Sequence, residues 1–240
     1  MKTAVITGAG SGVGQAVAVK LVNEGWNVAI IGRREEALKE TLAKCGGDTN
    51  RVQICPGDVG VHADVQRIAK SVLEKFGSVQ ALVNSAGTNI PKRKLDVLSV
   101  EDYEKVMSAN LNGSFYCVQA FLPSMREQKL GTIVNIVSDA GKQANPKAGT
   151  AYICSKFAQN GLTQAINLEE WEHNIRACSI FPGDINTPLL DRRPVPPPME
   201  ARSRMLQPAD LAECVWLVIA LPKFVGIEEL LIRPLGNKTS

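Results

Sequence analysis

Tyr152 and Lys156 are the two residues of this chain whose types and spacing best suit acid–base chemistry. Residues four apart share a helix face, with Cβ atoms about 5–6 Å from each other. A phenol titrates near pH ~10, and a neighbouring ammonium group favours the phenolate and lowers that pKa. A tyrosine tuned in this way can exchange a proton with an alcohol oxygen. The spacing also fits an aromatic ring packed at a helix edge beside a solvated lysine, so the rest of the chain must decide.

A glycine-rich turn near the N-terminus predicts a nucleotide-binding site. A strand-like segment, Thr3–Thr7, runs into glycines at positions 8, 10, 12 and 14, and an apolar-periodic helix follows. Such a turn lets the backbone approach a pyrophosphate, and the helix N-terminus offers free N–H groups and partial positive charge. The residues expected to contact the cofactor here are Gly8, Ser11, Gly12, Val13 and Gly14. A purely structural tight turn is the alternative.

The end of the second predicted strand indicates which nicotinamide cofactor is preferred. In NAD-binding sites of this kind an Asp or Glu usually holds the ribose hydroxyls at this point. Here the strand ends instead in Arg33 and Arg34. A guanidinium group favours a 2′-phosphate, which a carboxylate would repel. We therefore predict NADP(H), with NAD(H) less favoured and Arg33 the stronger of the two candidates. Alternatively, both arginines are solvated residues that begin a helix.

Short apolar runs alternate with longer helical patterns, which predicts one α/β domain built on a parallel sheet. The predicted strands are Thr3–Thr7, Asn27–Ile31, Val52–Cys55, Ala81–Asn84, Thr132–Val137, Arg176–Ile180 and Glu229–Ile232. The predicted helices are Val13–Glu24, Glu35–Lys44, His62–Lys75, Val100–Arg126, Thr150–His173 and Pro208–Leu221.

One segment is unlike the rest of the chain. Residues 182–208 hold seven of the thirteen prolines, together with Arg192, Arg193, Arg202 and Arg204. Because the segment follows a late strand, at the edge of the sheet where ligands bind, we predict a substrate loop or lid over about 183–208. A mobile surface loop is the alternative. If its arginines face the crevice, an acidic substrate is favoured, whereas arginines that face solvent say little about the substrate.

Bulk properties exclude several other classes of protein. The formal net charge of +3 over 240 residues is too small to indicate a nucleic-acid partner. No apolar run is long enough to span a bilayer, and no secretory leader precedes the first strand, so we expect a cytoplasmic protein. Two distant histidines argue against a His-rich metal site and a Ser-His-Asp triad. The six cysteines lack C-x-x-C spacing, which indicates buried, reduced thiols.

With these features in view, the chain resembles the short-chain dehydrogenase/reductase family from residue 1 to about 220. Segment 7–14 fits T-G-x-x-x-G-x-G, segment 84–87 is similar to N-N-A-G with serine at 85, and segment 182–187 fits P-G-x-[IV]-x-T. Three further positions match the family in order and spacing: the Asp58-Val59 pair, Asn110, and Ser138 fourteen residues before Tyr152. The family's Asp-Gly-Gly stretch near the last strand is absent from this chain.

The resemblance implies a Rossmann fold over 1–240, with a seven-stranded parallel sheet in the order 3-2-1-4-5-6-7 and helices on both faces. It implies that Tyr152 is the general acid or base, that Ser138 binds the substrate oxygen, and that Lys156 lowers the pKa of the tyrosine and holds the ribose. Asn110 would hold a water that links the lysine to solvent. The further cofactor contacts that it implies are Asp58, Val59, Asn84, Ala86, Gly87, Pro182, Gly183, Ile185 and Thr187.

Several of these residues also fit plainer roles. Asn110 could bond only backbone within a kinked helix, Ser138 could cap a turn, and Asp58 could cap the helix that begins near Val61. Cys154 should point away from the catalytic face, and we interpret it as a packing residue. Asp184 should face the crevice region, but a carboxylate in a polar loop is usually solvated.

The leading hypothesis is an NADPH-dependent aldehyde or ketone reductase that acts on a small molecule, with neither nucleic acid nor a membrane as partner. A second hypothesis is an NADP-linked dehydrogenase of a sugar, polyol or hydroxy acid. A third, from a different class, is a non-catalytic NADP-binding sensor or scaffold, which would not need the whole catalytic set. The helices at 100–126 and 150–173 pair across subunits in this family, which implies a homotetramer, or else a homodimer.

Overall fold

The computed structural model describes residues 1–235 and contains a single seven-stranded parallel sheet. Its strands are β1 (Thr3–Thr7), β2 (Asn27–Gly32), β3 (Val52–Pro56), β4 (Ala81–Asn84), β5 (Gly131–Ile136), β6 (Ile175–Pro182) and β7 (Glu229–Ile232). The order is β3-β2-β1-β4-β5-β6-β7, so the predicted fold class and strand order are confirmed. The last strand pairs with β6 although the Asp-Gly-Gly stretch is absent. The last five positions of the expected 1–240 domain lie outside the described residues.

Helices connect the strands and cover both faces of the sheet. They are α1 (Gly12–Asn23), α2 (Glu35–Lys44), α3 (His62–Phe76), α4 (Val100–Met107), α5 (Gly113–Gln128), α6 (Thr150–Glu170), α7 (Met199–Ser203) and α8 (Pro208–Ala220). A π-helical turn, Ser108–Asn112, joins α4 to α5. Short 3₁₀ turns lie at Asp139–Gly141, Trp171–His173 and Pro188–Arg192.

Two predicted helices differ from the observed ones by more than one residue at an end. The helix predicted over Val100–Arg126 is helical throughout, but the π turn interrupts it and α5 continues to Gln128. The helix predicted to end at His173 stops at Glu170, and a 3₁₀ turn follows it. Apolar periodicity cannot detect either feature, because a single wide turn or a final tight turn changes the repeat by only one residue.

The core lies in two layers, one on each face of the sheet. Alternate residues of β1 point to opposite faces, so that Ile6 packs with α1 and α8 whereas Val5 packs with α3 and α5. Both faces are covered, which explains why the strands appear in the sequence as continuous apolar runs without alternation. Phe121 of α5 and Phe181 of β6 are the largest fully buried side chains.

The strand order reverses beside β1, which pairs with β2 on one edge and with β4 on the other. In open parallel sheets a crevice forms at such a point, outside the carboxyl ends of the strands. The turn after β1 and the loop after β4 therefore meet at the place where a ligand would bind. Across residues 1–235, no helix has the length and apolarity needed to cross a bilayer.

We expect Phe121→Ala to lower the free energy of unfolding by about 3–5 kcal/mol, because it removes a fully buried ring and leaves a cavity in the α3/α5 layer. Phe224→Ala is the matched control, since that ring is 79% exposed and its loss should change stability by no more than about 0.5 kcal/mol. Urea unfolding measures both values. Equal losses in the two variants would contradict the assigned core.

Candidate active site

The turn after β1 is locked to the loop after β4 by contacts that only glycine permits. Gly8 has a φ of +65°, and a Cβ atom on it would lie 2.8 Å from Cα of Ala86. The hydroxyl oxygen of Thr7 accepts hydrogen bonds from the backbone N–H groups of Ser85 and Ala86, each at 3.0 Å. The sequence Thr7-Gly8 thus holds the carboxyl ends of β1 and β4 together.

The remaining glycines of the turn have separate tasks. Gly12 begins α1 at a φ of +55°, and its Cα faces the side chain of Thr187. A Cβ atom on Gly14 would lie 2.6 Å from the carbonyl oxygen of Gly8, so Gly14 allows α1 to pack against the turn. Gly14 does not line the cleft, whereas Gly8 and Gly12 do. This backbone arrangement, with a helix N-terminus behind it, suits a pyrophosphate.

A cleft of about 340 Å³ lies above these turns and unites most of the expected site residues. The expected residues that line it are Gly8, Ser11, Gly12, Val13, Gly87, Ser138, Tyr152, Lys156, Pro182, Gly183, Ile185 and Thr187. Segments separated by more than 170 positions therefore converge on one cavity. Within residues 1–235, no three His, Cys, Asp or Glu side chains are grouped so that they could hold a metal ion.

Tyr152 and Lys156 lie on one face of α6, as their spacing predicts, with Nζ of the lysine 5.7 Å from the centre of the tyrosine ring. Burial raises the pKa of Tyr152 to about 12, whereas the Ser138 hydroxyl and the charges of Arg193 and Arg93 act to lower it. The tyrosine is therefore protonated at neutral pH.

Lys156 is not among the groups that shift the pKa of Tyr152 in this geometry, and the expectation that it lowers that pKa stays a prediction. Lys156 is 3% exposed, and burial lowers its own pKa to about 7. Its Nζ donates to the carbonyl oxygen of Ile136 at 2.8 Å and to Oε1 of Gln159 at 2.7 Å. An amine with a pKa near neutrality carries only part of a charge, which weakens its effect on the phenol.

Asn110 is fully buried in the π turn and fixes the wall of the cleft. Its Oδ1 accepts from the N–H of Thr88 at 2.7 Å, and its Nδ2 donates to the carbonyl oxygen of Thr88 and to Oγ of Ser155. These bonds join the 88 loop to α6, so the alternative in which Asn110 bonds only its own helix is wrong. The role of Asn110 in holding a water stays a prediction.

A buried chain of polar side chains connects Asn110 to Lys156. Ser114 donates to the carbonyl oxygen of Asn110 at 3.2 Å, and Nε2 of Gln159 donates to Oγ of Ser114 at 2.8 Å. Gln159 in turn accepts from Lys156. Sequence reasoning missed Gln159, although it lies three residues after Lys156 on the same helix face, a spacing at which side chains meet.

Ser138 lies at the mouth of the cleft, directly after β5. Its Oγ accepts from the N–H of Ala140 at 3.2 Å and donates to Oδ1 of Asp139 at 3.3 Å. Ser138 therefore caps the 3₁₀ turn at 139–141, as the alternative interpretation held, and it also influences the pKa of Tyr152. The two roles are compatible, since a hydroxyl group has one donor and two acceptor sites.

The two arginines after β2, Arg33 and Arg34, do not line the cleft. Arg34 lines a second cavity together with Ser11 and Gly12, whereas Arg33 is exposed, with Nη1 3.8 Å from Oδ2 of Asp58. Asp58 accepts from the N–H of Gly60 and does not cap α3, which begins without a side-chain cap, so that alternative is wrong.

Two other expected residues, Asn84 and Val59, lie beneath the cleft surface. Asn84 donates to Asn135, and its own Oδ1 is buried without a partner among the described residues. Val59 is buried against Gly113, at the start of α5. Cys154 points away from the catalytic face as expected, but it is exposed, so its interpretation as a packing residue of this chain is wrong. Helical spacing shows which face a residue lies on and not whether another element covers that face.

Comparisons with known proteins agree with this geometry. The chain matches the family model for short chain dehydrogenase over residues 2–195. The chain belongs to this family. An uncharacterized oxidoreductase of Staphylococcus aureus is 32% identical to this short chain dehydrogenase over 97% of both chains.

Two solved structures resemble this dehydrogenase closely. An alcohol dehydrogenase from the archaeon Thermococcus sibiricus, complexed with 5-hydroxy-NADP, is 29% identical, with a TM-score of 0.89 over 100% of this chain and 99% of its own. A short-chain oxidoreductase of metagenomic origin, in complex with NADP, is 28% identical, with a TM-score of 0.84 over 98% of each chain. The likeness therefore covers the whole described sheet and not only the cofactor-binding half.

The structure also reveals cleft residues of this dehydrogenase that sequence reasoning missed. Those with polar side chains are Ser85, Asn89, Arg93, Asp139, Asn145, Lys147 and Arg233. Arg93 stands in the longest basic run of the chain, 92–94, but it is buried while both neighbours are exposed. Asp184, expected to be solvated, lines the cleft and pairs with Arg193. A basic run alone carries no signal that one of its members turns inward.

We expect stability to depend on pH through Lys156. Its pKa is about 7 in the folded protein against 10.5 ordinarily, so between these values the unfolded chain binds more protons. Stability contributed by this group therefore rises with pH across that window. In Lys156→Met the rise should be absent, so that the wild-type protein gains stability relative to the variant from about pH 7 to about pH 10.

Chemical unfolding at several pH values measures this difference. Lys70→Met is the control, because that side chain is 80% exposed and should leave the pH profile unchanged. Parallel pH profiles for wild type and Lys156→Met would show that the lysine keeps its ordinary pKa in the folded protein.

Proposed function

We propose that this protein is an NADP(H)-dependent oxidoreductase that interconverts a carbonyl and an alcohol, mainly as an aldehyde or ketone reductase. The observation that carries the proposal is that Ser138, Tyr152 and Lys156 line the same cleft as the glycine turn. A proton donor and a nucleotide-binding backbone in one cavity suit hydride transfer to a polarised carbonyl.

The residues present fit an NADP molecule. The glycine turn lines the cleft at the N-terminus of α1, which suits a pyrophosphate, and two guanidinium groups stand after β2 where an acid would oppose a 2′-phosphate. The resemblance to structures that contain NADP or 5-hydroxy-NADP supports the same cofactor. Asp58 and Val59 would contact the adenine, and Thr187 with the backbone at 182–185 would hold the nicotinamide amide.

The proposed mechanism assigns a proton task to each catalytic side chain. When bound, the nicotinamide ring supplies or accepts the hydride. Tyr152 donates its phenolic proton to the substrate oxygen, and Ser138 donates a hydrogen bond that stabilises the developing charge on that oxygen. Lys156, fixed by Ile136 and Gln159, holds the ribose and resupplies the proton. A phenol with a raised pKa is protonated at neutral pH, which is the form that donates the proton in reduction.

The proposal also covers the role of the 183–208 segment, the oligomeric state of the protein and its location in the cell. Pro188, Leu189 and Leu190 line the cleft, which supports a substrate lid over about 183–208. Phe115 of α5 and Phe157 of α6 are each 46% exposed, and such apolar faces support self-association as a homotetramer or homodimer. We place the protein in the cytoplasm.

We expect Tyr152→Phe to lower kcat for carbonyl reduction by about 10²–10⁴-fold, because the variant keeps the ring but loses the proton donor. The affinity for NADPH, measured by NADPH fluorescence, should change little. Tyr103→Phe is the matched control, since Tyr103 of α4 packs against Ile90 and Ala151 and does not line the cleft. Unchanged turnover in Tyr152→Phe would refute the assignment. Tight NADPH binding by the wild type without any turnover would favour the sensor or scaffold hypothesis.

The cofactor preference is tested at the arginines after β2. We expect the double variant Arg33→Ala/Arg34→Ala to weaken NADPH binding by roughly 10- to 100-fold, because charge-assisted bonds to the 2′-phosphate are lost, and to leave NADH binding unchanged. Lys39→Ala is the control, as this lysine of α2 pairs with Glu35 and Glu36 at the surface. Equal affinity for both cofactors in the wild type would overturn the NADP(H) preference.

A further inference from the structure

The cleft contains a buried guanidinium group that the proposed mechanism does not use. Arg93 is 6% exposed and lines the cleft. Burial lowers its pKa, the charge of Arg193 lowers it further, and within residues 1–235 no carboxylate acts on it. A buried charge without a counter-ion is costly, so the position of this arginine requires an explanation.

Arg93 is held rigidly by backbone groups. Its Nε donates to the carbonyl oxygen of Ile90 at 2.7 Å, Nη1 to that of Lys147 at 3.2 Å, and Nη2 to that of Arg192 at 2.8 Å. Its aliphatic stem crosses Gly149, where a Cβ atom would lie 2.5 Å from Cβ of the arginine. A guanidinium has five N–H donors, so one donor on each terminal nitrogen remains.

The other charges around Arg93 leave the substrate side of the cleft positive. Arg193 forms a two-point ion pair with Asp184, and Nε of Arg233 lies 3.8 Å from Oδ2 of Asp139. Both carboxylates of the cleft lining are therefore paired, whereas Arg93 and Lys147 are not neutralised by either. Of the four arginines in the 182–208 segment, Arg193 is the one that lines this cleft.

We propose that the substrate carries a carboxylate, which Arg93 binds through its two remaining donors and Arg193 binds through the donors that its pair with Asp184 leaves. The proposal rests on the proposed function and names its substrate class: a short-chain oxo acid or the matching hydroxy acid. Both guanidinium groups line the same cleft as Tyr152, so a carboxylate bound there lies in the cavity that holds the proton donor. Guanidinium and carboxylate match in shape and form paired hydrogen bonds.

A purely mechanical role for Arg93 is the competing explanation. Its three bonds join the 90 loop, the 147 loop and the 188–192 turn, so the arginine could serve only to fasten the lid. If Arg93 only fastens the lid, its loss lowers activity with every substrate. If Arg93 binds a carboxylate, its loss lowers activity with acids alone. Comparing an acid with its uncharged ester separates the two roles.

The test uses NADP⁺ and short-chain hydroxy acids that carry the carboxylate one, two or three carbons from the hydroxyl-bearing carbon, each beside its methyl ester. For the best pair, the ratio of kcat/KM for acid to that for ester is measured in wild type, Arg93→Met, Arg93→Lys and Arg193→Met. Arg204→Met is the matched control, because that arginine lies on the same segment but is largely exposed beside Glu200.

We expect the wild type to prefer the acid, and each Met variant to lower the ratio by roughly 10- to 100-fold, with partial recovery in Arg93→Lys and no change in Arg204→Met. A wild type that prefers the ester, or Met variants that lower both values equally, would overturn the carboxylate site. Circular dichroism identifies any variant that fails to fold, and Arg193→Met, whose side chain is partly exposed, then carries the test.

Failure of the proposed function is distinguishable from failure of this inference. Turnover of neutral carbonyls that requires Tyr152, without preference for acids, leaves the oxidoreductase proposal standing and removes the substrate class. If no compound is turned over, short-chain carboxylates are titrated into the NADPH complex and followed by fluorescence. Binding that Arg193→Met abolishes supports the carboxylate site, and the absence of binding in the wild type overturns it.

Discussion

The contact between Gly8 and the Ser85–Ala86 backbone is the constraint on which the rest of the site depends. It lies at the point where the strand order reverses, and it sets how closely the carboxyl ends of β1 and β4 approach. Thr7 reinforces the contact by accepting two backbone hydrogen bonds from the facing loop. Any side chain at position 8 would push the two turns apart, so the crevice, the start of α1 and the floor beneath the cofactor all follow from one missing Cβ atom.

The cleft above this contact contains buried charged side chains, which a core optimised for stability would exclude. Lys156 and Arg93 are both nearly inaccessible, and neither contacts a carboxylate within the described residues. Backbone carbonyls and the Gln159 amide satisfy their hydrogen bonds without neutralising their charge. Burial lowers the pKa of both groups, which is the expected outcome when hydrogen bonds replace water but no counter-ion is supplied. Anionic ligands would provide that counter-charge.

The sequence predicts the fold well because each strand is buried on both faces and therefore stands out as an apolar run between helical patterns. The Tyr152–Lys156 pair and the glycine turn are equally visible, since both are local. Arg93 and the π turn at Asn110 could not be predicted in the same way. Whether Arg93 turns inward is decided by the small size of Gly149, 56 positions away, and by carbonyls from three separate loops. Such contacts depend on tertiary structure and leave no periodic trace.

The same arginines link substrate charge to proton chemistry. In this structure the charges of Arg93 and Arg193 act against burial and lower the pKa of Tyr152, which makes the phenol a somewhat stronger acid. A carboxylate bound between them would cancel part of that positive field, so the phenol would hold its proton more firmly until charge develops on the substrate oxygen. The negatively charged substrate oxygen is then the strongest base beside the phenol. Ser138 stabilises the charge on that oxygen while the proton is transferred to it. A carboxylate-bearing substrate would thereby help to keep Tyr152 in its protonated form, which is the form required for reduction.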